Sequence, residues 1–360
     1  MHINTKSLQN KTAIEQYVSI ISDTGENTDE FMINLFQYYH KLTKQKLSMI
    51  HERIYANDNQ ISKIIDSRKT NPDTADFIPN YFVTGETKES PITIQLYLIG
   101  GDINCDKIKH EGKYCGVKAV TDSNEVFFLC GINNNEKNLS RAEQLQKTLQ
   151  TALTILNSHR LTMKNILRNW FWLNDILKWY TVFNRVRTKF FIEQGLISKS
   201  GICLPASTAI GLKPYHGGFG ALDVIANSTT QYFSLHEVSA CQNSAYDYGS
   251  AFSRAVTAKT FAGNTVYISG TAAIDKDGKT TNVNNIEGQL NHTVSNLQQI
   301  LNQISNHTVL SSVVYCKNNE VKKQFLKNFG FLDWNYVTVI TDICRKDLLC
   351  EIEMVVGKNG

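Results

Sequence analysis

The sequence predicts an α+β protein of three tandem units, each a mixed sheet covered on one side by two helices. Three observations carry this. A β-like run ending in an Asn-containing polar corner occurs three times, as Glu52–Asp58 (ERIYAND), Asn169–Asp175 (NWFWLND) and Val313–Asn319 (VVYCKNN). Each run follows one helix-periodic stretch and precedes another. No G-x-G-x-x-G follows a strand, which argues against a dinucleotide fold. The 360 residues divide into three lengths of 120, and the corners Asp58, Asp175 and Asn319 lie 117 and 144 residues apart (175 − 58 and 319 − 175).

The elements follow in order. First helices are predicted over Phe31–Met49, Ala142–Leu167 and Ile286–Ile304. Leu145, Leu149, Leu153 and Leu156 mark one apolar face; Leu290, Val294, Leu297, Ile300 and Leu301 mark another. Second helices fall near Ser62–Arg68, Tyr180–Gln194 and Glu320–Asn328. Extended runs follow (DFIPNYFVTG, ICLPASTAIG, YVTVITDICR), and each unit closes on a strand (ITIQLYLIG, ALDVIANS, DLLCEIEMVV). The second and third units open on a strand with a glycine corner, Glu125–Gly131 and Thr265–Gly270; the first offers only QYVSIISDTG. Units 1–104, 105–235 and 236–360 result, each reading β-β-α-β-α-β-β. About 27 extra residues fall between the second and third corners, with PYHGGFG and the Cys241–Ala255 tract as the places for them.

Composition narrows the function. Lys+Arg 37 against Asp+Glu 33, with no basic block, does not call for nucleic acid, although a small anion would be welcome. No apolar run approaches the ~20 residues of a membrane span, and MHINTKSLQN is too polar for an export signal. The expected setting is the cytoplasm. None of the eight cysteines forms C-x-x-C or pairs with histidine at zinc spacing, so buried free thiols and no metal are expected.

The third unit, with VYISGTAAIDKDGKT, SNLQQIL, VVYCKN and DICRKDLLCEIEMVV, resembles the YjgF-like (RidA) domain. A closer resemblance is to the chorismatases, in which YjgF-like units are fused in one chain. It rests on LRNWFWLNDI with FNRVR, on LPASTAIG, AYDYGSAFSRA, YISGTAAI and CRKDLLCEIE, in order over residues 125–356. The resemblance implies a pseudo-trimeric arrangement, with the oligomeric state left open, and a cofactor-free enzyme that cleaves chorismate, a dicarboxylate.

A dianion asks for arginine forks, and Arg345, Arg254 and Arg168 lie in the matching motifs. Superposing the terminal runs brings Ser207 and Asn80 to the Arg345 position, so that only one unit carries the guanidinium. Strand alternation sets Glu351, Glu353 and Val355 on one face of an apolar strand and Cys350, Ile352 and Met354 on the other. A carboxylate there is either an edge charge or a pocket acid of raised pKa. The resemblance makes Glu351 the general acid that protonates the enolpyruvyl methylene, with pyruvate leaving. Cys344 resembles the residue of hydroxybenzoate-forming chorismatases, whereas Ala255 resembles that of the purely hydrolytic type. Tyr246, Tyr248 and Tyr215 are candidates to hydrogen-bond carboxylates or wall the ring. Thr208 and Gly211 offer either an approach to an anion or a tight turn, and His216 sits in a glycine-rich loop with no dyad partner. An imine deaminase of the RidA type and a non-catalytic metabolite-binding module are the alternatives.

Overall fold

A computed structural model of the chain describes all residues except 24, 72–73, 75–77, 85–90, 200, 237–241 and 359–360; Cys241 therefore lies outside the described residues. The first unit contains β1 (His2–Gln9), β2 (Ala13–Ile21), α1 (Thr28–Lys44), β3 (Ser48–Ala56), α2 (Asp58–Lys69), β4 (Pro79–Val83) and β5 (Thr93–Gly101). The second contains β6 (Asn104–His110), β7 (Lys113–Val120), β8 (Glu125–Ile132), α3 (Arg141–Ser158), β9 (Ile166–Leu173) and α4 (Ile176–Glu193). It continues with a short hairpin, β10 (Ile197–Ser198) and β11 (Gly201–Ile202), then β12 (Ala206–Ile210), β13 (Lys213–Pro214) and β14 (Gly220–Asn227). The third contains β15 (Phe233–His236), β16 (Ala255–Lys259), β17 (Asn264–Ala272), α5 (Ile286–Leu301), β18 (His307–Cys316), α6 (Asn319–Phe329), β19 (Tyr336–Ile340) and β20 (Cys350–Lys358).

The three sheets share one topology: β1-β2-β5-β3-β4, β7-β8-β14-β9-β12 and β16-β17-β20-β18-β19. β6 and β15 extend the second and third sheets, and β13 crosses over to pair with β4 of the first. Within each sheet only the strand pair that brackets the second helix (β3/β4, β9/β12, β18/β19) is parallel, because a crossover helix returns the chain in the same direction. The alternating side chains then sort into two cores. Outward residues pack against each unit's own helices, as Leu129, Leu149 and Phe171 do in the second unit and Val266, Leu290 and Ile352 in the third. Inward residues of all three sheets meet in one central core that includes Tyr17, Tyr55, Phe128, Trp172, Tyr267 and Tyr315. The molecule is a pseudo-trimer of two-layer units.

The polar corners seen in the sequence are helix starts. Asn57 caps α2 in a capping box and Asn318 caps α6. Asp175 instead adopts a left-handed conformation (φ 53°) without capping α4, and pairs with Arg141. The first two helices stop short of the predicted Met49 and Leu167, since Lys46 (φ 56°) and Arg160 (φ 63°) break helical geometry and both predicted ends pair in strands.

Register fixes which residues are equivalent. Tyr55, Trp172 and Tyr315 lie opposite Phe82, Ile210 and Val339 on one side, and opposite Thr93, Ala221 and Glu351 on the other. This corrects one expectation: Asn80 and Ser207 sit on β4 and β12, the counterparts of β19, whereas Arg345 lies in the following loop. The corresponding sequences, 84–92 and 211–219, contain no arginine either, so the guanidinium is still unique to the third unit.

Two residues further along the closing strands stand Gln95, Asp223 and Glu353, each buried and each reaching another unit. Gln95 Nε2 donates to Ser311 Oγ and the Ser312 carbonyl, both at 3.0 Å. Asp223 accepts from Asn80 Nδ2 at 2.9 Å and from the Gly131 amide at 2.7 Å, and lies 3.0 Å from His51 Nε2. Burial lowers the His51 pKa, so the imidazole stays neutral and serves Asp223 with its Nε2 proton. Asp223→Ala strands these donors in the core. It is expected to lower unfolding stability by about 3 kcal/mol or more, measured as a fall in the urea midpoint; an unchanged midpoint would show that this joint does not hold the units.

Candidate active site

The third unit meets the second where β12 and β17 run side by side. Ser207 donates its amide to Ser269 Oγ at 2.8 Å, Ser269 Oγ donates to the Ser253 carbonyl at 2.6 Å, and the Gly270 amide donates to Thr208 Oγ1 at 3.1 Å. A cavity opens at this joint. Its lining includes Tyr180 and Arg187 of α4, Tyr248, Phe252 and Arg254 of the tract before β16, Cys344 and Arg345 of the loop before β20, and Glu351 of β20.

Glu351 is 5% exposed, and its carboxyl is pushed up to about 8, first by burial and then by the neighbouring Glu353, against the opposing pull of Arg168 and Arg345. It is therefore mostly protonated at neutral pH. Strand alternation delivers it as expected: Glu351, Glu353 and Val355 face inward, while Ile352 and Met354 pack beneath α5. Gly270 makes room for it, because a Cβ there would stand 2.0 Å from Glu351 Oε1. Gly270 sits in a β-bulge of β17, where register shifts between Ile268 and Thr271.

Three guanidiniums line the same cavity, and among the described residues none of them has a carboxylate partner. Arg254 is 3% exposed; its Nε and Nη2 donate to the Asn243 carbonyl at 3.1 and 2.9 Å, and it lies over the rings of Tyr248 (5.3 Å) and Phe252 (5.5 Å). Arg345 Nη1 donates to the Gly278 carbonyl at 2.5 Å and the same Tyr248 ring lies 6.0 Å away. Arg187 is 1% exposed; it donates to Asn184 Oδ1 at 2.8 Å, lies over Phe183 at 4.8 Å, and leaves its Nε unpartnered. Burial lowers its pKa to about 10, still charged at neutral pH. Cations so poorly compensated inside a protein are costly unless an anion joins them. The arrangement can bind two carboxylates and offer one proton.

The structure thus brings together Glu351, Arg345, Arg254, Tyr248 and Cys344. Burial pushes the Cys344 thiol up to about 12, so it walls the cavity as a neutral group. Arg168 lies behind the acid, 1% exposed, donating to Thr208 Oγ1 at 2.5 Å and to Glu353 Oε2 at 2.8 Å. Thr208 therefore supports the wall rather than the cavity. Other expected residues are elsewhere. Tyr215 hydrogen-bonds Ser62 of α2 at 2.7 Å, in the first unit's joint with the second, and His216 packs beside it. Tyr246 lines an outer cleft with Thr181, Asn184 and Arg185. Ala255 packs into the core under the third unit's helices, and Gly211 makes its close approach to Asp342. Arg187 and Tyr180 were not singled out as site residues from sequence. Arg187 carried a readable signal: it falls on the apolar stripe of α4 with Trp179, Phe183 and Phe190, a position where an arginine is out of place.

Glu351 also ties stability to pH. Its folded pKa of about 8 stands above the ordinary 4.5, so between those values the unfolded chain binds fewer protons and stability falls as pH rises. The expected slope is about 1 kcal/mol per pH unit in that window. Urea titrations of the wild type and Glu351→Gln check this, since the substitution should flatten the profile.

No family model matches the chain, and no curated protein does. Among solved structures, a chorismatase crystal structure matches with 16% sequence identity and a TM-score of 0.59, covering 98% of this chain and 99% of that one. A Rid-family protein of unknown function from Yersinia pestis, YyfA, matches with 23% identity over 35% of this chain and 98% of its own, at a TM-score of 0.28. TdcF of E. coli with bound serine matches with 16% identity over 31% of this chain and 85% of its own, at a TM-score of 0.27. With three sheets of one topology about a common core, the chain has the fold of a chorismatase, a pseudo-trimer of YjgF-like units in a single polypeptide.

Proposed function

We propose that this protein is a chorismatase-type enzyme that cleaves chorismate to pyruvate and a ring product. One observation carries the reading: a single cavity holds three guanidiniums without carboxylate partners and one buried, protonated carboxyl. Chorismate carries a carboxylate on its ring and another on the enolpyruvyl ether. Arg345, Arg254 and Arg187 together suit two such groups, and bidentate forks fix their orientation. Tyr248, stacked on two of these arginines, walls the ring.

In this reaction Glu351 gives its proton to the enolpyruvyl methylene carbon. The ether carbon becomes an oxocarbenium centre, stabilised by the glutamate carboxylate left behind. Water, or a ring hydroxyl, adds to that carbon and gives up a proton, which restores Glu351. The ether bond then breaks and pyruvate leaves. Attack by water gives a hemiketal that collapses in this way to pyruvate and a dihydroxycyclohexadiene carboxylate. Attack by the ring hydroxyl gives a cyclic ketal, in which the ring C–O bond of that hydroxyl breaks as the neighbouring ring carbon loses its proton. The aromatic hemiketal so formed expels 3-hydroxybenzoate, while the former hydroxyl oxygen leaves in pyruvate. The second product is the one favoured by Cys344 at the cavity wall. Acid catalysis of this kind calls on no metal or cofactor. An imine deaminase would clamp a single carboxylate, for which three arginines are in excess.

Incubation with chorismate should release one pyruvate per chorismate consumed, with the ring product identified by mass; no loss of chorismate at high enzyme concentration would end the proposal. Glu351→Gln should lower kcat by about 10²–10⁴-fold while leaving the affinity for a dicarboxylate analogue nearly unchanged. Turnover should decline above about pH 8 as Glu351 ionises, read from the pH dependence of kcat. Arg187→Met should raise KM for chorismate about tenfold or more, the effect of losing a charge-assisted hydrogen bond.

A further inference from the structure

Glu353 is two residues from Glu351 on the same face of β20, at a spacing of roughly 6.5 Å, yet its surroundings are the opposite. Arg168 Nη2 of the second unit donates to it at 2.8 Å, Arg53 Nη1 of the first unit at 3.2 Å, and Trp170 Nε1 approaches both of its oxygens at 2.9 Å. Trp170 in turn carries the guanidiniums of Arg168 (4.6 Å) and Arg53 (4.7 Å) over its ring. Glu351 has no such cradle: no described residue hydrogen-bonds its carboxyl, and its side chain lines the cavity.

Two carboxyls side by side in one protein interior cannot both ionise cheaply, and the better-solvated one takes the charge. We propose that Glu353 is a positioning residue for the acid: its carboxylate, held as an anion by arginines from the other two units, keeps Glu351 protonated. This rests on reading Glu351 as the proton donor. The other charged or titratable groups facing Glu351 are Arg345 and Cys344 from the loop before β20, Arg168 from β9, and Tyr315 opposite it on β18. The two arginines favour ionisation of Glu351, and burial together with Glu353 opposes them. The first unit, through Arg53, thus has a part in the chemistry although it does not line the cavity.

The test needs no substrate. The carboxyl of Glu351 is titrated by difference infrared spectroscopy on the whole protein, with Glu351→Gln identifying its band. Glu353→Gln keeps the shape and an acceptor for Trp170 while removing the charge. It should move the Glu351 midpoint down by about one unit, a tenfold weaker hold on the proton. The double variant Arg53→Gln/Glu353→Gln deletes one charge of each sign, guards against a folding failure of the single variant, and should move the midpoint the same way. A midpoint that stays or rises in the folded variants overturns the proposal. If the midpoint falls but chorismate is not consumed by the wild type, the positioning role stands and the reaction assignment fails. If pyruvate is released but the midpoint does not move, only the positioning role fails.

Discussion

A buried carboxylate, Glu353, gathers hydrogen bonds from both of the other units at the centre of the molecule. Burying it there is costly unless every partner is in place, so the three sheets must meet in one relative position. The constraint recurs around the pseudo-threefold axis. Glu353 reaches the second and first units, Asp223 the first, and Gln95 the third. Apolar packing of the inward faces supplies the bulk of the cohesion, and this ring of polar residues sets the register between faces that would otherwise slide.

The same ring explains why three similar joints hold one site. At the second–third joint the bulge at Gly270 admits Glu351, and the arginines of α4, the pre-β16 tract and the loop before β20 line the same cavity. At the first–second joint the equivalent bulge, at Gly131, is closed by Asn80, whose Oδ1 would lie 2.5 Å from an added Cβ. There the counterpart of Glu351 is Ala221, and Tyr215 and His216 fill the space against the first unit. At the third–first joint β2 pairs with β5 without a register shift, and the counterpart of Glu351 is Thr93. The sheet topology is repeated three times, while the cavity with its buried carboxyl forms at the second–third joint.

The legible part of this protein was the part encoded by local periodicity. The three polar corners, the amphipathic faces of α3 and α5 and the alternation of β20 all depend on neighbours in sequence, so the strings announced them. The alternation alone put Glu351 and Glu353 on one shared face. Helix ends were less legible, because Lys46 and Arg160 stop their helices through backbone conformations that their side chains do not advertise.

By itself, then, the sequence determined the repeated α+β units, the shared face of Glu351 and Glu353 and the family of folds they resemble, since each rests on spacing within a few residues. Tertiary structure alone decided which side chains share a cavity. Arg187 entered it and Tyr246 and Ala255 did not, although all three lie in motifs of the same resemblance, and Tyr215 went to another joint. Only tertiary structure set the surroundings of the two glutamates, too. Glu351 and Glu353 are adjacent inward glutamates on one strand, and what separates them is a pair of arginines from units more than a hundred residues away in the chain.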